Sequence, residues 1–379
     1  MPAQGESSSA VSGHGVPARE AGTVCPGRLA GPSDPEMVER VRAARARLGS
    51  RVLILGHHYQ RDEVIAFADA RGDSYKLAKE AAAHPEAEFI IFCGVHFMAE
   101  SADILTAAHQ QVLLPDLEAG CSMADMAELP FVEECWETLG DWAPGTFTPL
   151  TYINSSADIK AFTGLAGGAV CTSANAGRAM KWAFDRTDKV LFMPDQHLGR
   201  NTAIALGVPA EECLVWNWAL PDGELNAEAV RRAKVVLWKG HCSVHQQFTC
   251  AQIEDARRRR PGVVVAVHPE CTREVVAAAD FVGSTESIIR KVASAAPGSA
   301  FVVGTEFNLV NRLASEYPDR TVEYLASEIC LCSTMYRIDL PHLCAVLEGL
   351  VEGRVINRIA VDEHTAKGAR IALERMLEI

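Results

Sequence analysis

Val52–Tyr59 reads VLILGHHY. Its first four residues are large and apolar, the composition of a short strand covered on both faces. The run stops at Gly56 and delivers His57, His58 and Tyr59, side chains that can carry protons. The same shape recurs down the chain. Phe89–Phe92 ends in Cys93, Gly94, Val95 and His96, and Val112–Leu114 leads to Cys121. Phe147–Ile153 ends in Asn154, Ser155 and Ser156, and Val190–Met193 in Pro194, Asp195, Gln196 and His197. Val235–Trp238 ends in Gly240, His241 and Cys242, Val263–Val267 in His268, Pro269 and Glu270, and Phe301–Val303 in Gly304, Thr305 and Glu306. A helix-like segment follows each run.

Strands alternating with helices predict βαβ units and parallel sheets, with ligands beyond the carboxyl ends of the strands. The polar residues stand at those ends. The runs fall into three comparable groups, so the expected fold is α/β, with three small units rather than one giant sheet. A closed eight-stranded α/β barrel also fits the strand count. The expected units span 36–125, 126–245 and 246–335, with 336–379 packing back near the first. Ala210–Ala233, with Trp216, Trp218, Pro221, Asp222 and Gly223, breaks the rhythm and reads as an excursion between units. The basic run Arg257–Arg260 before Pro261 reads as a solvated helix end.

The chain has 379 residues, enough for two or three cores. A net charge of −13 argues against a general nucleic-acid or membrane-surface binder, and no apolar run reaches transmembrane length. Residues 1–35 are rich in Ser, Gly, Ala and Pro, lack the apolar core of a secretory signal and read as a disordered leader. Twelve cysteines in such a chain point to a reducing, cytoplasmic setting and to metal binding or catalysis over a disulfide framework.

Leu113–Asp125 reads LLPDLEAGCSMAD. It places Cys121 at a strand-to-helix turn ahead of an expected helix from Met123 to Leu129, whose N-terminus would favour thiolate. Cys242 and Cys332 occupy comparable turns. Paired C-x-x-C zinc spacing is absent, so the three thiols would meet only in the folded centre; among twelve cysteines, buried thiols packed as small apolar residues compete with that reading. Three thiolates on a four-iron cluster would leave one iron open. His57, His58 and Tyr59 form a polar cluster, and His268 and Glu270 can act as an acid–base pair. Asp73–Ser74 and Ser284–Thr285 read as helix caps whose exposed amides also suit an anion. Thr172 and Ser173 after Cys171 are of the same kind.

Ordered blocks now carry a resemblance. They include Gly56-His57-His58-Tyr59-Gln60, Gly72-Asp73-Ser74, Gly94-Val95-His96-Phe97-Met98-Ala99-Glu100 and Leu117-Glu118-Ala119-Gly120-Cys121-Ser122. They continue through Tyr152-Ile153-Asn154-Ser155-Ser156, Cys171-Thr172-Ser173-Ala174-Asn175-Ala176, Pro194-Asp195-Gln196-His197-Leu198-Gly199-Arg200 and Trp238-Lys239-Gly240-His241-Cys242-Ser243-Val244-His245. His268-Pro269-Glu270, Val282-Gly283-Ser284-Thr285 and Gly304-Thr305-Glu306 complete the series. In this order they resemble the quinolinate synthase family from about residue 37 to the C-terminus.

The resemblance implies a fold of three pseudo-symmetric, doubly wound three-layer αβα units with parallel sheets around a central site, each unit giving one cysteine to a 4Fe–4S cluster there: Cys121, Cys242 and Cys332. Cys-Pro-x-Met is usual at the last position; here it is Cys332-Ser333-Thr334-Met335, and Cys330 is a competitor two residues away. It also implies condensation of iminoaspartate with dihydroxyacetone phosphate to quinolinate, releasing phosphate and two waters, in NAD biosynthesis. A functional link to an L-aspartate-oxidising enzyme follows, with no nucleic-acid or membrane partner. Glu270 is the expected principal acid–base group, with His268, Tyr59 and His57 beside it. Ser74, Tyr152, Asn154, Ser173, Ser284 and Thr285 would hold the substrate's anionic groups, while His245 could reach substrate or cluster. Met98 matches a position near the substrate. A cluster-bearing redox sensor and a zinc hydrolase are the rival readings; the chain shows no nucleic-acid module for the first and no H-E-x-x-H for the second.

Overall fold

The computed structural model describes residues 35–379; the expected leader with Cys25 falls outside them up to Pro35, where the first helix begins. Fourteen strands are present among the described residues: β1 Val52–His57, β2 Ala70–Gly72, β3 Phe89–Cys93, β4 Gln111–Leu113, β5 Phe147–Tyr152, β6 Ala169–Cys171 and β7 Lys189–Met193, then β8 Cys213–Trp216, β9 Val235–Trp238, β10 Val264–Val267, β11 Phe281–Val282, β12 Ala300–Gly304, β13 Thr321–Tyr324 and β14 Arg358–Ile359. Every residue of β1, β3, β7 and β9 is buried. Helices therefore cover both sheet faces, and uninterrupted apolar runs replace the alternation of a half-exposed strand.

The strands form three separate sheets, not a closed barrel. Their orders are β14-β4-β3-β1-β2, β6-β5-β7-β9-β8 and β11-β10-β12-β13. Each contains one four-strand pattern: the unit's first strand lies between its second and third, and the third is flanked by β4, β9 or β13, which takes the fourth place. All pairings in that pattern are parallel. The first two sheets add one edge strand each. β14 joins β4 antiparallel, and β8 joins β9 parallel. The 210–233 segment thus supplies an edge strand, preceded by a single 3-10 turn at Ala210–Glu212, followed by a left-handed turn at Asp222–Glu224 and then by helix Ala227–Arg232.

The C-terminal segment serves two units. Helix Leu340–Val351 packs on helix Pro35–Leu48, and helix Glu363–Glu378 packs chiefly on helix Ala157–Leu165 of the second unit. That crossing is backbone-close. A Cβ at Gly164 would lie 2.1 Å from the Gly368 carbonyl oxygen, so only glycine permits it. Arg375 Nη1 donates to the carbonyls of Gly164 (3.2 Å) and Gly168 (2.6 Å).

Between the third unit and the first, Arg312 is buried and donates to Asp62 Oδ1 (2.7 Å), the His58 carbonyl (2.8 Å) and the Gln60 carbonyl (2.6 Å). It fixes the turn that presents His57 and Tyr59. Among the described residues no helix is long and apolar enough to cross a membrane.

Candidate active site

The three units offer equivalent positions to one cavity. The first strand of each ends in a polar pair two residues apart: His57 and Tyr59 after β1, Tyr152 and Asn154 at β5, His268 and Glu270 after β10. All six line the cavity. The second strand of each leads to a helix-capping turn. Asp73 accepts from Lys76 N–H at 2.9 Å ahead of helix Ser74–Ala83, and Ser284 caps helix Thr285–Ala293. At the equivalent turn Asn175 accepts from Thr172 N–H at 2.7 Å. These turns bring Ser74, Ser173 and Thr285 to the wall; Ser284 is buried behind Thr285 and is not part of it.

The fourth strands deliver the cysteines. Cys121, Cys242 and Cys332 all line the cavity, and Cys330 does not. Their loops are copies of one another. Each cysteine is followed by serine, its carbonyl accepts the N–H four residues on, and a single 3-10 turn begins at the third residue: Ala124–Met126, His245–Gln247 and Met335–Arg337. An α-helix then starts at Leu129, Cys250 and Leu340, the same interval after each cysteine. The helix expected from Met123 is therefore a 3-10 turn, and local amides take over the role assigned to a helix dipole. Met123 and Ala124 N–H face the Cys121 sulfur, His245 N–H faces Cys242, and Thr334 and Met335 N–H face Cys332.

Burial pushes the Cys121 thiol up to about 12 and raises Cys242 and Cys332 as well; Cys121 also feels Cys332, and Cys242 feels both of the others. Without a cation the three are thiols. A metal would draw off their protons, and amide donors would then stabilise sulfur charge.

Glu270 is buried and receives the Tyr152 hydroxyl at 2.5 Å on Oε1. Burial opposes its charge, but His245, His268 and the Tyr152 hydroxyl outweigh that and hold the carboxyl down to about 2. Burial pulls His268 to about 3, so its imidazole is neutral at pH 7. With His268 neutral, the carboxylate leans first on His245, whose Nδ1 lies 2.8 Å from Oε2, and then on the Tyr152 hydroxyl. Glu270 N–H lies 3.4 Å from His268 Nδ1, which leaves Nε2 as the protonated nitrogen, 3.2 Å from Ser173 Oγ. His57 is built alike: Tyr59 N–H donates to its Nδ1 at 3.2 Å, and burial lowers it well below the usual imidazole range. Tyr59 and Tyr152 are raised by burial and keep their phenolic protons. Asn154 Oδ1 is buried with no hydrogen-bond partner, a group set for a donor from a ligand. Met98 lines the wall on the helix after β3.

Three supporting groups stand at strand ends in the sequence, but the sequence reading gives them no role. Glu306 lines the cavity, caps helix Phe307–Glu316 through Asn308 N–H (2.8 Å) and also receives Cys332 N–H. Burial pushes its carboxyl up to about 8. Asp195, the equivalent cap after β7, receives Cys242 N–H at 3.2 Å and is likewise raised by burial. Thr305 Oγ1 joins Tyr59 Oη (2.9 Å) to His245 Nε2 (3.2 Å). Equal placement after β7 and β12 is the signal in the chain that could have found them.

A family model described as quinolinate synthetase A protein matches residues 39–378. The chain belongs to the quinolinate synthetase A family. A relative named quinolinate synthase, from Streptomyces coelicolor, is 58% identical over 367 residues, spanning 96% of this chain and 93% of its own. Those from a Nocardioides species and from Acidobacterium capsulatum are 57% and 55% identical over 370 and 351 residues, spanning 95% and 91% of this chain and 93% and 94% of theirs. In this member of the quinolinate synthetase A family, then, the two strand-end pairs that carry acid–base groups and the three cysteine loops open onto a single cavity.

Proposed function

We propose that the protein condenses iminoaspartate with dihydroxyacetone phosphate to quinolinate, releasing phosphate and two waters, in NAD biosynthesis. The supporting observation is the convergence of three cysteine loops, one per sheet, on the cavity that holds Glu270 and His268. A 4Fe–4S cluster suits this donor set. The three thiols are separate enough in sequence to come from three units, each sulfur has amide donors at hand, and the remaining wall offers oxygen and imidazole groups. Cys121, Cys242 and Cys332 would hold it, and when bound it supplies one iron free of protein thiolate as a Lewis acid.

The chain's own groups divide the remaining work. The turns at Ser74, Ser173 and Thr285 offer hydroxyls to the substrate's carboxylates and phosphate, and amides at the starts of the helices after Asp73 and Ser284 add to them. Glu270, ionised and buried, accepts a proton from carbon or nitrogen of the condensing partners and returns it to a departing hydroxyl. Tyr152 holds that carboxylate in place, and neutral His268 donates from Nε2. Tyr59 and His57, both uncharged, assist isomerisation of the triose and loss of phosphate. Iminoaspartate is the two-electron oxidation product of L-aspartate, so an aspartate-oxidising enzyme is the natural supplier in the cytoplasm.

The test is anaerobic reconstitution with iron and sulfide followed by both substrates. Quinolinate should form, and an intact cluster without quinolinate would sink the reading. Glu270→Gln should keep the iron and lose at least about a hundredfold in turnover.

A further inference from the structure

His245 is buried, and its Nδ1 meets no hydrogen-bond partner. Glu270 Oε2 is 2.8 Å away, but off the direction a hydrogen bond needs. The other ring nitrogen, Nε2, lies 3.2 Å from Thr305 Oγ1. In the tautomer that donates Nε2–H to Thr305, the Nδ1 lone pair faces a carboxylate that the Tyr152 hydroxyl occupies only at Oε1. An imidazole nitrogen and a carboxylate oxygen 2.8 Å apart, attracted to each other but joined by no well-directed hydrogen bond, are two donor atoms that a cation can bridge in place of a proton. The third donor is Cys242: its sulfur, His245 Nδ1 and a Glu270 oxygen all lie within 4.8 Å of one another.

We propose that the protein lacking its cluster binds one divalent transition cation of the zinc class through Cys242 Sγ, His245 Nδ1 and the Glu270 carboxylate. A borderline-soft ion takes one sulfur, one imidazole and one carboxylate, and three protein ligands leave a fourth position for water. Binding releases the thiol proton to solvent and changes no oxidation state. Thr305 holds the imidazole tautomer from the outer side, as the partners of metal-bound histidines do. Cys242 cannot serve two sites at once. On the reading that a cluster uses Cys242, the single ion and the cluster exclude each other, and zinc in the site holds the protein inactive until the ion is withdrawn.

Cobalt(II) is the probe. Reduced, chelator-stripped protein titrated under argon should bind one equivalent, with a thiolate-to-cobalt absorption band and displacement by zinc. Cys242→Ser should abolish the band. His245→Gln should weaken binding by more than the about 10- to 100-fold expected of Thr305→Val. Cys121→Ser and Cys332→Ser should bind as the parent does; circular dichroism melts of each variant identify any that fail to fold. Binding that survives His245→Gln and disappears with Cys121→Ser or Cys332→Ser would place the ion on the three thiols and overturn the proposal. In a second arm, zinc-loaded protein should take up less iron and sulfide than stripped protein at equal time, and equal uptake would overturn mutual exclusion. The cobalt titration needs no turnover, so its failure is distinct from absence of quinolinate.

Discussion

Glu306→Gln tests how burial loads the wall of the cavity. In the folded chain the Glu306 carboxyl is pushed up to about 8, against an ordinary value of 4.5. A raised carboxyl favours the folded state below its unfolded value and disfavours it progressively as pH climbs to the folded one. The wild type therefore loses stability from Glu306 between about pH 4.5 and 8. Each tenfold change in proton affinity between the unfolded and folded chain is worth about 1.4 kcal/mol, so the full loss is on the order of 4–5 kcal/mol. Glutamine carries no such penalty, but its single carbonyl oxygen serves the N–H groups of Asn308, Leu309 and Cys332 less well than a carboxyl group does. That deficit is about 1–2 kcal/mol and independent of pH. Glu306→Gln should thus be slightly less stable than the parent near pH 5 and more stable at pH 8. Urea titrations of both metal-free proteins from pH 5 to 9 read the difference directly. A difference that stays flat with pH, or that grows against the variant as pH rises, would refute the buried-acid reasoning.

Other perturbations discriminate among the site's parts. Tyr152→Phe removes the 2.5 Å hydrogen bond to Glu270, so turnover should fall about 10- to 100-fold at unchanged iron content, as for a charge-assisted bond of about 1.5–3 kcal/mol. Parent-like rates in that variant would remove Tyr152 from the support of Glu270. Cys332→Ser should abolish full iron loading while Cys330→Ser retains it, by iron and sulfide assay; the reverse pattern would move the ligand to Cys330. Gly164→Ala should lower the thermal midpoint, since its Cβ would sit 2.1 Å from the Gly368 carbonyl and overpacking of this kind costs about 1–3 kcal/mol. An unchanged melt would show that the crossing helices separate freely.

Much of the fold and the site is legible at strand ends. Val52–Tyr59 announces a covered strand and the groups it presents, because a parallel strand must be apolar throughout and can turn polar only where the sheet stops. Cys332 is harder to select over Cys330 by its surroundings alone. The deciding signal is an internal repeat: Cys121-Ser122, Cys242-Ser243 and Cys332-Ser333 share one loop geometry, but the residues between cysteine and helix differ so much that their side chains hide it. Cys213–Trp216 is obscured for another reason. It is an edge strand with two half-buried positions, so it lacks the solid apolar run of its neighbours. The charge states of Glu306 and Asp195 depend on how deeply their caps are buried, which no local pattern encodes. The neighbour of helix Ala157–Leu165 likewise depends on a residue far along the chain, Gly368, whose role is visible only when the two backbones touch.

That last contact bears on how the chain is made. Arg375 reaches back 211 residues to the Gly164 carbonyl. At about 5–20 residues per second on a ribosome, the face presented by helix Ala157–Leu165 and edge strand β6 waits some 10–40 s for the helix that covers it. Throughout that interval its surface is open to other nascent chains and to folding helpers. Completion of the second sheet's shell is therefore timed by the synthesis of its distant neighbour, and slowing translation before residue 363 should lengthen the exposure in proportion.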